Sequence, residues 1–135
     1  MALRSSILLI DDSPGEQELF RLALGQTGLD VTLYTEEDTE TAFHFLDDRV
    51  HHSPLPSLVL LDLHLRNQDG CDFLKRLKAH ARFAAIPVVI FTTSDDQHDI
   101  ARCHANGANG YVVKPGTFAE LIQCTADICR YWMDR

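Results

Sequence analysis

Four short apolar runs, none of which contains a charged residue, constrain the fold of this chain more than any other feature. They are Ile7–Ile10, Leu58–Leu61, Val88–Phe91 and Tyr111–Val113. Because they lack the alternation of a half-exposed strand, they are typical of strands covered on both faces in a parallel sheet. A fifth run, Val31–Tyr34, alternates apolar with polar residues and predicts an edge strand.

Segments with helical periodicity separate these runs and follow the last one. The first helix is predicted to begin at Ser13-Pro14-Gly15-Glu16, a capping box with proline at the first helical position. The apolar positions at helical spacing are Leu19, Leu22 and Ala23, then Ala42, Phe45 and Leu46, then Phe73, Leu74 and Leu77, then Ile100 and Cys103, and finally Phe118, Leu121, Ile122, Thr125, Ile128, Cys129 and Trp132. Strands that alternate with helices predict an α/β fold, a doubly wound five-stranded parallel sheet with five helices, and among the common orders of such sheets we expect the flavodoxin-like order 2-1-3-4-5.

Length and charge limit the classes of partner. A chain of 135 residues fits a single domain over residues 1–135, and we expect no output domain because the sequence ends with the fifth helix. Its 12 basic and 20 acidic residues give a net charge of −8, which argues against nucleic acid and anionic membranes as partners. No apolar stretch approaches the ~20 residues of a spanning helix, and no signal peptide is evident.

Cysteine and histidine usage favours a cytoplasmic protein without a zinc site. The 4 cysteines lack C-x-x-C spacing and fall in predicted helices, so neither a disulfide framework nor a zinc site is indicated. The 7 histidines also lack ligand spacing, and His51 and His52 are predicted to lie in a Pro-rich loop.

Polar side chains follow four of the predicted strands at the point where each strand ends. Asp11 and Asp12 follow the first strand, Asp62 closes the third, Thr92 closes the fourth and Lys114 follows the fifth. Ligands of doubly wound folds bind beyond the carboxyl ends of the strands, so these side chains are expected to converge. Since Ser13 is predicted to cap the helix, the two adjacent acids have no capping role, which favours a function for them.

The residue types in this crevice indicate phosphoryl chemistry. Crowded carboxylates repel one another and favour a cation among them, and oxygen ligands without Cys or His point to Mg²⁺. The ammonium of Lys114 and the hydroxyl of Thr92 are suited to hold phosphoryl oxygens.

At this point the sequence resembles the receiver domains of two-component response regulators. The resemblance rests on Ile-Asp-Asp after the first strand, Leu-Leu-Asp-Leu with Asp69-Gly70 at the third, Thr92-Thr93 at the fourth and Tyr-Val-Val-Lys-Pro at the fifth. It extends from about Ile7 to about Trp132, which is essentially the whole chain.

The resemblance implies a role for each matching residue. Asp62 would accept a phosphoryl group from a sensor histidine kinase or a histidine phosphotransfer protein, and the chain would be no enzyme beyond its own phosphorylation and dephosphorylation. Asp12, Asp62 and the main-chain carbonyl of His64 would ligate Mg²⁺, with Asp11 acting through water. Lys114 would pair with the phosphoryl oxygens.

The same resemblance implies the switch. Thr92 would move toward the phosphoryl group and Tyr111 would turn inward, changing the surface of the fourth and fifth helices. Pro115 would follow a cis peptide bond.

Two departures and one weaker resemblance refine this picture. Arg66 stands where the family usually has proline, and His64 and Ser94 occupy positions that tune acyl-phosphate hydrolysis in the family. The closing Tyr131-Trp132 and the stretch Phe91-Thr-Thr-Ser resemble small regulators that partner bacterial phytochrome kinases, which often dimerise through the fourth helix, fifth strand and fifth helix. A core role for Trp132 remains the alternative to an interface role.

Three other functions compete with this interpretation. A phosphatase of the haloacid dehalogenase type would need D-x-D after the first strand, where this chain has Asp11-Asp12. A flavodoxin-like electron carrier would need a phosphate-cradling loop there, and these two acids would repel FMN phosphate. A pseudo-receiver, a binding module or dimeric scaffold that is not phosphorylated, is the strongest alternative, and Arg66 is its only support.

Overall fold

The computed structural model describes residues 5–52, 54–66 and 68–133. The strands, in chain order, are β1 Ser5–Ile10, β2 Val31–Glu36, β3 Leu58–Leu61, β4 His64–Leu65, β5 Gln68–Asp69, β6 Val88–Thr92 and β7 Gly110–Val113. The helices are α1 Pro14–Thr27, α2 Thr39–His52, α3 Gly70–Ala79, α4 Gln97–Ala105 and α5 Phe118–Trp132.

The main sheet has five parallel strands in the order β2-β1-β3-β6-β7. This confirms the predicted flavodoxin-like order, because β6 and β7 are the fourth and fifth strands of the prediction. The hairpin β4–β5 between β3 and α3 is an antiparallel pair that the sequence pattern did not predict. Runs of two residues are too short to show a period.

Two hydrophobic clusters cover the two faces of the sheet. Successive strand residues point to opposite faces, so Leu8 belongs to one cluster and Ile7 to the other. The first cluster packs under α2, α3 and α4, and the second packs under α1 and α5. Burial of each large aliphatic side chain contributes about 1.5–3 kcal/mol to the free energy of unfolding. The sheet is therefore a stable support for the residues at the carboxyl ends of its strands.

The two sheet edges differ in part from the prediction. Strand β2 is an edge strand, as predicted, but it is partly buried along its whole length and shows no alternation between buried and exposed residues. Strand β7 lies at the opposite edge, as the predicted order requires, but the expectation that it is covered on both faces was wrong, because Val113 is 43% exposed. Its apolar composition resembles that of a central strand, so composition alone did not reveal the exposure.

The start of α1 at Ser13 was predicted correctly, but its capping box is only half formed and its buried face differs from the predicted one. Ser13 caps the helix and accepts a hydrogen bond from the Glu16 N–H over 3.2 Å. The buried residues are Phe20, Ala23 and Leu24, whereas the predicted core residues Leu19 and Leu22 are 45% and 51% exposed. Either set has helical spacing, and only packing against α5 selects between them.

Two further helical predictions need correction. Helix α2 continues to His52, so His51 lies in its last turn rather than in a Pro-rich loop. Helix α5 keeps the predicted stripe at Thr125, Ile128 and Cys129, but Phe118 at its start is 41% exposed.

Trp132, at the end of α5, packs against the second cluster. A methyl group placed on Gly110 of β7 would lie 3.0 Å from its ring, so glycine makes room for the indole. Trp132 is partly buried, so one side of its ring packs on the core while it also lines the groove between β7 and α5. None of the helices in the described ranges has the length and apolar character needed to cross a membrane.

Candidate functional site

The structure brings the carboxylates Asp11 and Asp62 to one ammonium group. Lys114 Nζ lies 2.8 Å from Asp11 Oδ2 and 3.2 Å from Asp62 Oδ2. These residues follow β1, β3 and β7, and parallel strands present their carboxyl ends at one edge. The predicted convergence is therefore confirmed for these three side chains.

Burial makes this arrangement electrostatically strong. The side chains of Lys114, Asp11 and Asp62 are 9%, 3% and 13% exposed. Burial by itself lowers the pKa of Lys114, but the hydrogen bonds and negative charges of Asp11 and Asp62 outweigh it, so that pKa is raised. Lys114 is consequently held as a cation.

Asp11 has a structural role that the sequence argument denied. Its Oδ1 accepts a hydrogen bond from the Ser13 N–H over 2.9 Å, in the position that Glu16 would occupy in a complete capping box. The Gln17 side chain donates to the Asp11 main-chain carbonyl over 2.7 Å. The inference that neither acid takes part in capping was thus wrong for Asp11, whose two oxygens serve the helix start and Lys114 separately.

Asp12 is oriented by the residue that departs from the family pattern. The Arg66 main-chain N–H donates to Asp12 Oδ2 over 2.8 Å. Proline has no N–H, so a chain with proline at this position would lack the bond. Arg66 lies between β4 and β5, and Gln68 anchors that hairpin by accepting from both the N–H and the hydroxyl of Thr39 over 2.8 Å each.

The predicted metal ligands fit a hard divalent cation by their chemistry. Three carboxylates and one lysine leave two negative charges in excess among Asp11, Asp12, Asp62 and Lys114. Mg²⁺ takes oxygen ligands, often only one or two carboxylates, and keeps several waters. Within the described ranges no three His, Cys, Asp or Glu side chains are arranged around a metal position. A site built from Asp12, Asp62 and the His64 carbonyl, with water, needs no such cluster.

Glycine at position 70 lets the third helix start directly beside the site. A methyl group on Gly70 would overlap the main-chain carbonyl of Asp62 and crowd Leu63 Cα. The Gly70 N–H donates to the Leu63 carbonyl over 2.9 Å, and Asp69 caps α3 by accepting from the Cys71 N–H over 2.8 Å. In the sequence Gly70 was part of the Asp69-Gly70 match to the family, and the structure shows that its role is close backbone approach.

The two predicted switch residues are linked through Ser94. Thr92 is fully buried at the end of β6, and its hydroxyl is 3.5 Å from the Ser94 N–H. The Tyr111 hydroxyl donates to the Ser94 carbonyl over 2.8 Å. Burial is the main cause that raises the pKa of Tyr111, so the phenol remains a donor. The segment after β6 is therefore tied to β7.

A further contact closes the rim of the site and was not predicted. Asp99, in the first turn of α4, accepts from the Ser94 hydroxyl over 2.7 Å and lies 3.6 Å from His64 Nε2. The His64 side chain is 64% exposed, so its ring lies at the rim of the site. Only the tertiary structure reveals that Asp99 contacts the site, because no motif in the neighbouring sequence indicates this role.

The cis peptide bond expected before Pro115 is absent. No cis peptide bond occurs in the described ranges, and the Lys114–Pro115 bond is trans. The trans form of an X–Pro bond is favoured by about 0.5–1 kcal/mol without any tertiary contact. The Lys114 N–H donates to the Thr92 carbonyl over 2.7 Å, so strand pairing continues to the residue before the proline.

Fold and site together define the class of protein. The sequence pattern of the response regulator receiver domain matches residues 7–126. The chain therefore belongs to the receiver domain family of response regulators, which act in two-component signalling with histidine kinases or phosphotransfer proteins.

Particular relatives cover nearly all of the chain. FilR2 of Methanothrix harundinacea (strain 6Ac), named as a probable methanogenesis regulatory protein, is 35% identical over 94% of this chain and 83% of its own. Response regulator Rcp1 of Synechocystis sp. (strain ATCC 27184 / PCC 6803 / Kazusa) is 31% identical over 95% of this chain and 88% of its own.

Solved structures of response regulators also resemble this chain over nearly its whole length. The crystal structure of the phosphorylated cyanobacterial phytochrome response regulator RcpA has a TM-score of 0.87 at 27% identity, covering 97% of this chain and 95% of that one. The Mn²⁺-bound form of Rcp1 has a TM-score of 0.83 at 30% identity, covering 96% and 95%. The weaker resemblance to regulators associated with phytochromes is thereby confirmed as a relationship of sequence and fold.

Proposed function

We propose that this chain is a cytoplasmic signalling switch that accepts a phosphoryl group on Asp62. The observation that carries the proposal is the shared contact of Lys114 with Asp11 and Asp62 at the carboxyl edge of the sheet. A carboxylate oxygen of Asp62 would attack the phosphorus of a phosphohistidine. The P–N bond would break, its electron pair would leave with the imidazole, and an acyl phosphate would form.

Each residue around Asp62 would have its own part in binding the transferred phosphoryl group. Lys114 would exchange part of its contact with Asp62 for a phosphoryl oxygen, and the Thr92 hydroxyl would donate to another. Asp12, Asp62 and the His64 carbonyl would hold Mg²⁺, which supplies positive charge to the phosphoryl oxygens when bound. Asp11 would keep Lys114 and the start of α1 in place.

A movement of Thr92 would change the protein surface through the contacts of Ser94. The Ser94 segment bonds to Tyr111 through its carbonyl and to Asp99 through its hydroxyl. If Thr92 shifts toward the phosphoryl group, these bonds must rearrange, which releases the Tyr111 ring and the start of α4. Phosphorylation would then stabilise one of two arrangements through contacts made only in that state.

The exposed apolar residues near the site suggest where a phosphoryl donor docks. Leu19 and Phe118 line a cleft that also contains Asp11 and Lys114. Both side chains are more than 40% exposed, at 45% and 41%. A donor protein that covers them would bring its histidine to Asp62. Leu19→Arg should slow transfer from a phosphorylated phosphotransfer protein but leave labelling by phosphoramidate unchanged.

A homodimer through α4, β7 and α5 is the proposed output arrangement, as the resemblance to small regulators that partner phytochrome kinases implies. The groove between β7 and α5 is lined by Tyr111, Val112, Gln123 and Trp132 among others. Size exclusion with light scattering, before and after labelling, tests for dimers, and Val113→Glu should weaken any dimer that uses this edge.

Intact-protein mass after incubation with acetyl phosphate tests the main proposal. With Mg²⁺ the wild type should gain one phosphoryl group, and EDTA should prevent the gain. Asp62→Asn keeps the shape but removes the nucleophile, so it should not be labelled, whereas the exposed Asp72→Asn serves as the matched control. Full labelling of Asp62→Asn would show that another residue is the acceptor, and no labelling of folded wild type by acetyl phosphate or a phosphohistidine donor would favour a pseudo-receiver.

A further inference from the structure

Two buried cysteines from different helices lie in direct contact. Cys71 is in the first turn of α3 and Cys103 is in α4, and they are 1% and 0% exposed. Their sulfur atoms are 3.2 Å apart. A disulfide bond is about 2.0 Å long, so the two sulfurs need to approach by little more than about 1 Å. All four cysteines are thiols in this structure, and the phosphoryl chemistry uses none of them.

The surroundings of the two sulfurs differ, which assigns them different roles. Cys71 is the second residue of α3, where helical N–H groups favour negative charge. The guanidinium of Arg102 is beside it, and the pKa of Arg102 is raised first by the charge of Cys71 and then by Asp69. A cation and a helix N-terminus both stabilise negative charge on sulfur.

Cys103 is equally buried and also lies near Arg102, but it is close to the carboxyl end of α4. Burial is the main cause that raises the pKa of its thiol, to about 12, so it remains protonated. The pair therefore combines a sulfur placed to attack an oxidant with a neighbouring thiol placed to resolve the product.

We infer that Cys71 and Cys103 are a site of reversible oxidation, at which a peroxide joins α3 to α4 through an intramolecular disulfide. The Cys71 sulfur, as it gives up its proton, attacks one oxygen of hydrogen peroxide, the O–O bond breaks, and the departing hydroxide takes that proton to become water. The Cys103 sulfur then attacks the sulfenic sulfur of Cys71, the S–O bond breaks, and a second water leaves with the thiol proton. Two thiols lose two electrons, and one peroxide becomes two waters.

Burial determines when the reaction occurs. Peroxide reaches the sulfurs only when α4 separates from α3, so oxidation should be slower than that of an exposed thiol. Once formed, the bond ties α4 to α3, and α4 carries Asp99, which holds the Ser94 segment. The disulfide should therefore restrict the segment between β6 and α4, a consequence that rests on the proposed function.

The test uses a variant of the protein in which Cys71 and Cys103 are the only cysteines. Trypsin does not cleave at Lys114-Pro115, so Cys103, Cys124 and Cys129 fall in one tryptic peptide, 103–130. Cys124→Ser with Cys129→Ala removes that ambiguity, and Cys71 lies in peptide 67–75. The folded, reduced protein is treated with hydrogen peroxide, denatured and alkylated with N-ethylmaleimide, and then its intact mass and non-reducing peptide map are measured.

The expected product has lost two hydrogens, carries no alkyl group, and links the two peptides until dithiothreitol separates them. Cys71→Ser and Cys103→Ala should each abolish the link, because the cysteine that remains has no partner with which to form an intramolecular disulfide. Two alkylated thiols, or a Cys71 sulfinic acid without any link, in protein whose far-ultraviolet dichroism is native would overturn the inference.

The rate of labelling by acetyl phosphate distinguishes a failure of the oxidation site from a failure of the proposed function. Oxidised protein should be labelled severalfold more slowly than reduced protein, and Cys103→Ala should be insensitive to peroxide. If the link forms and neither form is labelled, the proposed function fails and the oxidation site stands. If both forms are labelled equally, the tether to the switch is refuted.

Discussion

Lys114 Nζ lies 2.8 Å from Asp11 Oδ2, and the same nitrogen is 3.2 Å from Asp62 Oδ2. One buried cation therefore balances two carboxylates that come from distant parts of the chain. Loss of one partner from a buried ion pair costs about 3–5 kcal/mol, because the remaining charge is left without compensation.

Lys114→Ala should lower the free energy of unfolding by about 3 kcal/mol in EDTA. Mg²⁺ should restore part of this loss, since it binds the folded form of a site with excess negative charge. Urea unfolding with and without Mg²⁺ measures both effects, and the exposed Lys75→Ala should change stability by less than about 0.5 kcal/mol. A Lys114→Ala variant as stable as the Lys75 control would contradict the assigned electrostatic role.

Gly70→Ala should be destabilising because the added methyl group meets backbone atoms of Asp62 and Leu63. Overpacking of this kind costs about 1–3 kcal/mol. Gly25→Ala is the matched control, since nothing lies within 4 Å of its added methyl group. Alanine should stabilise that exposed helical position by about 0.5–1 kcal/mol. Thermal unfolding of both variants should show shifts of opposite sign, and shifts of the same sign would argue against close approach at Gly70.

Tyr111→Phe should loosen the Ser94 segment by removing the 2.8 Å hydrogen bond to the Ser94 carbonyl. The expected loss of stability is about 1 kcal/mol. Amide hydrogen exchange should quicken at residues 93–96 and stay unchanged in α2, which lies on the other side of α3. Equal exchange of residues 93–96 in both proteins would show that the bond does not hold this segment.

Stability should also fall at high pH, and the sign follows from the raised pKa of Tyr111, whose first cause is burial. A raised pKa means that the folded state favours the protonated phenol. That contribution is complete below the unfolded value of about 10 and is lost as pH rises through the folded value. Lys114, whose pKa is also raised, acts in the same direction. The fall above pH ~10 should therefore be smaller in Tyr111→Phe than in wild type.

Lys78→Met should be destabilising although the residue lies far from the site. Its ammonium donates to the carbonyls of Ala84 and Ile86 over 3.3 and 2.8 Å and to Asn109 Oδ1 over 2.8 Å. Hydrogen bonds from a charged group contribute about 1.5–3 kcal/mol, so a loss of about 2 kcal/mol is expected. Lys75→Met, three residues earlier on the exposed side of α3, should be nearly neutral in urea unfolding, and equal losses in the two variants would refute this anchoring role.

Much of the fold was predictable because its signals are local. Apolar runs without alternation marked the inner strands, and Ser13 with Pro14 marked the start of α1. The rule that parallel strands present their carboxyl ends at one edge then brought Asp11, Asp62 and Lys114 together. Each step needed only neighbouring residues and a general property of sheets.

Other features depend on pairs of residues far apart in the chain, and no local pattern records them. The sequence by itself determined the α/β alternation, the strand order and the candidate acids. Only the tertiary structure decided that Leu19 is exposed, that the Arg66 N–H orients Asp12, and that Cys71 meets Cys103. The spacing of apolar residues predicts that a segment is a helix with one apolar face. It does not predict which residues of that face are buried, because this depends on how the helix packs against its neighbours.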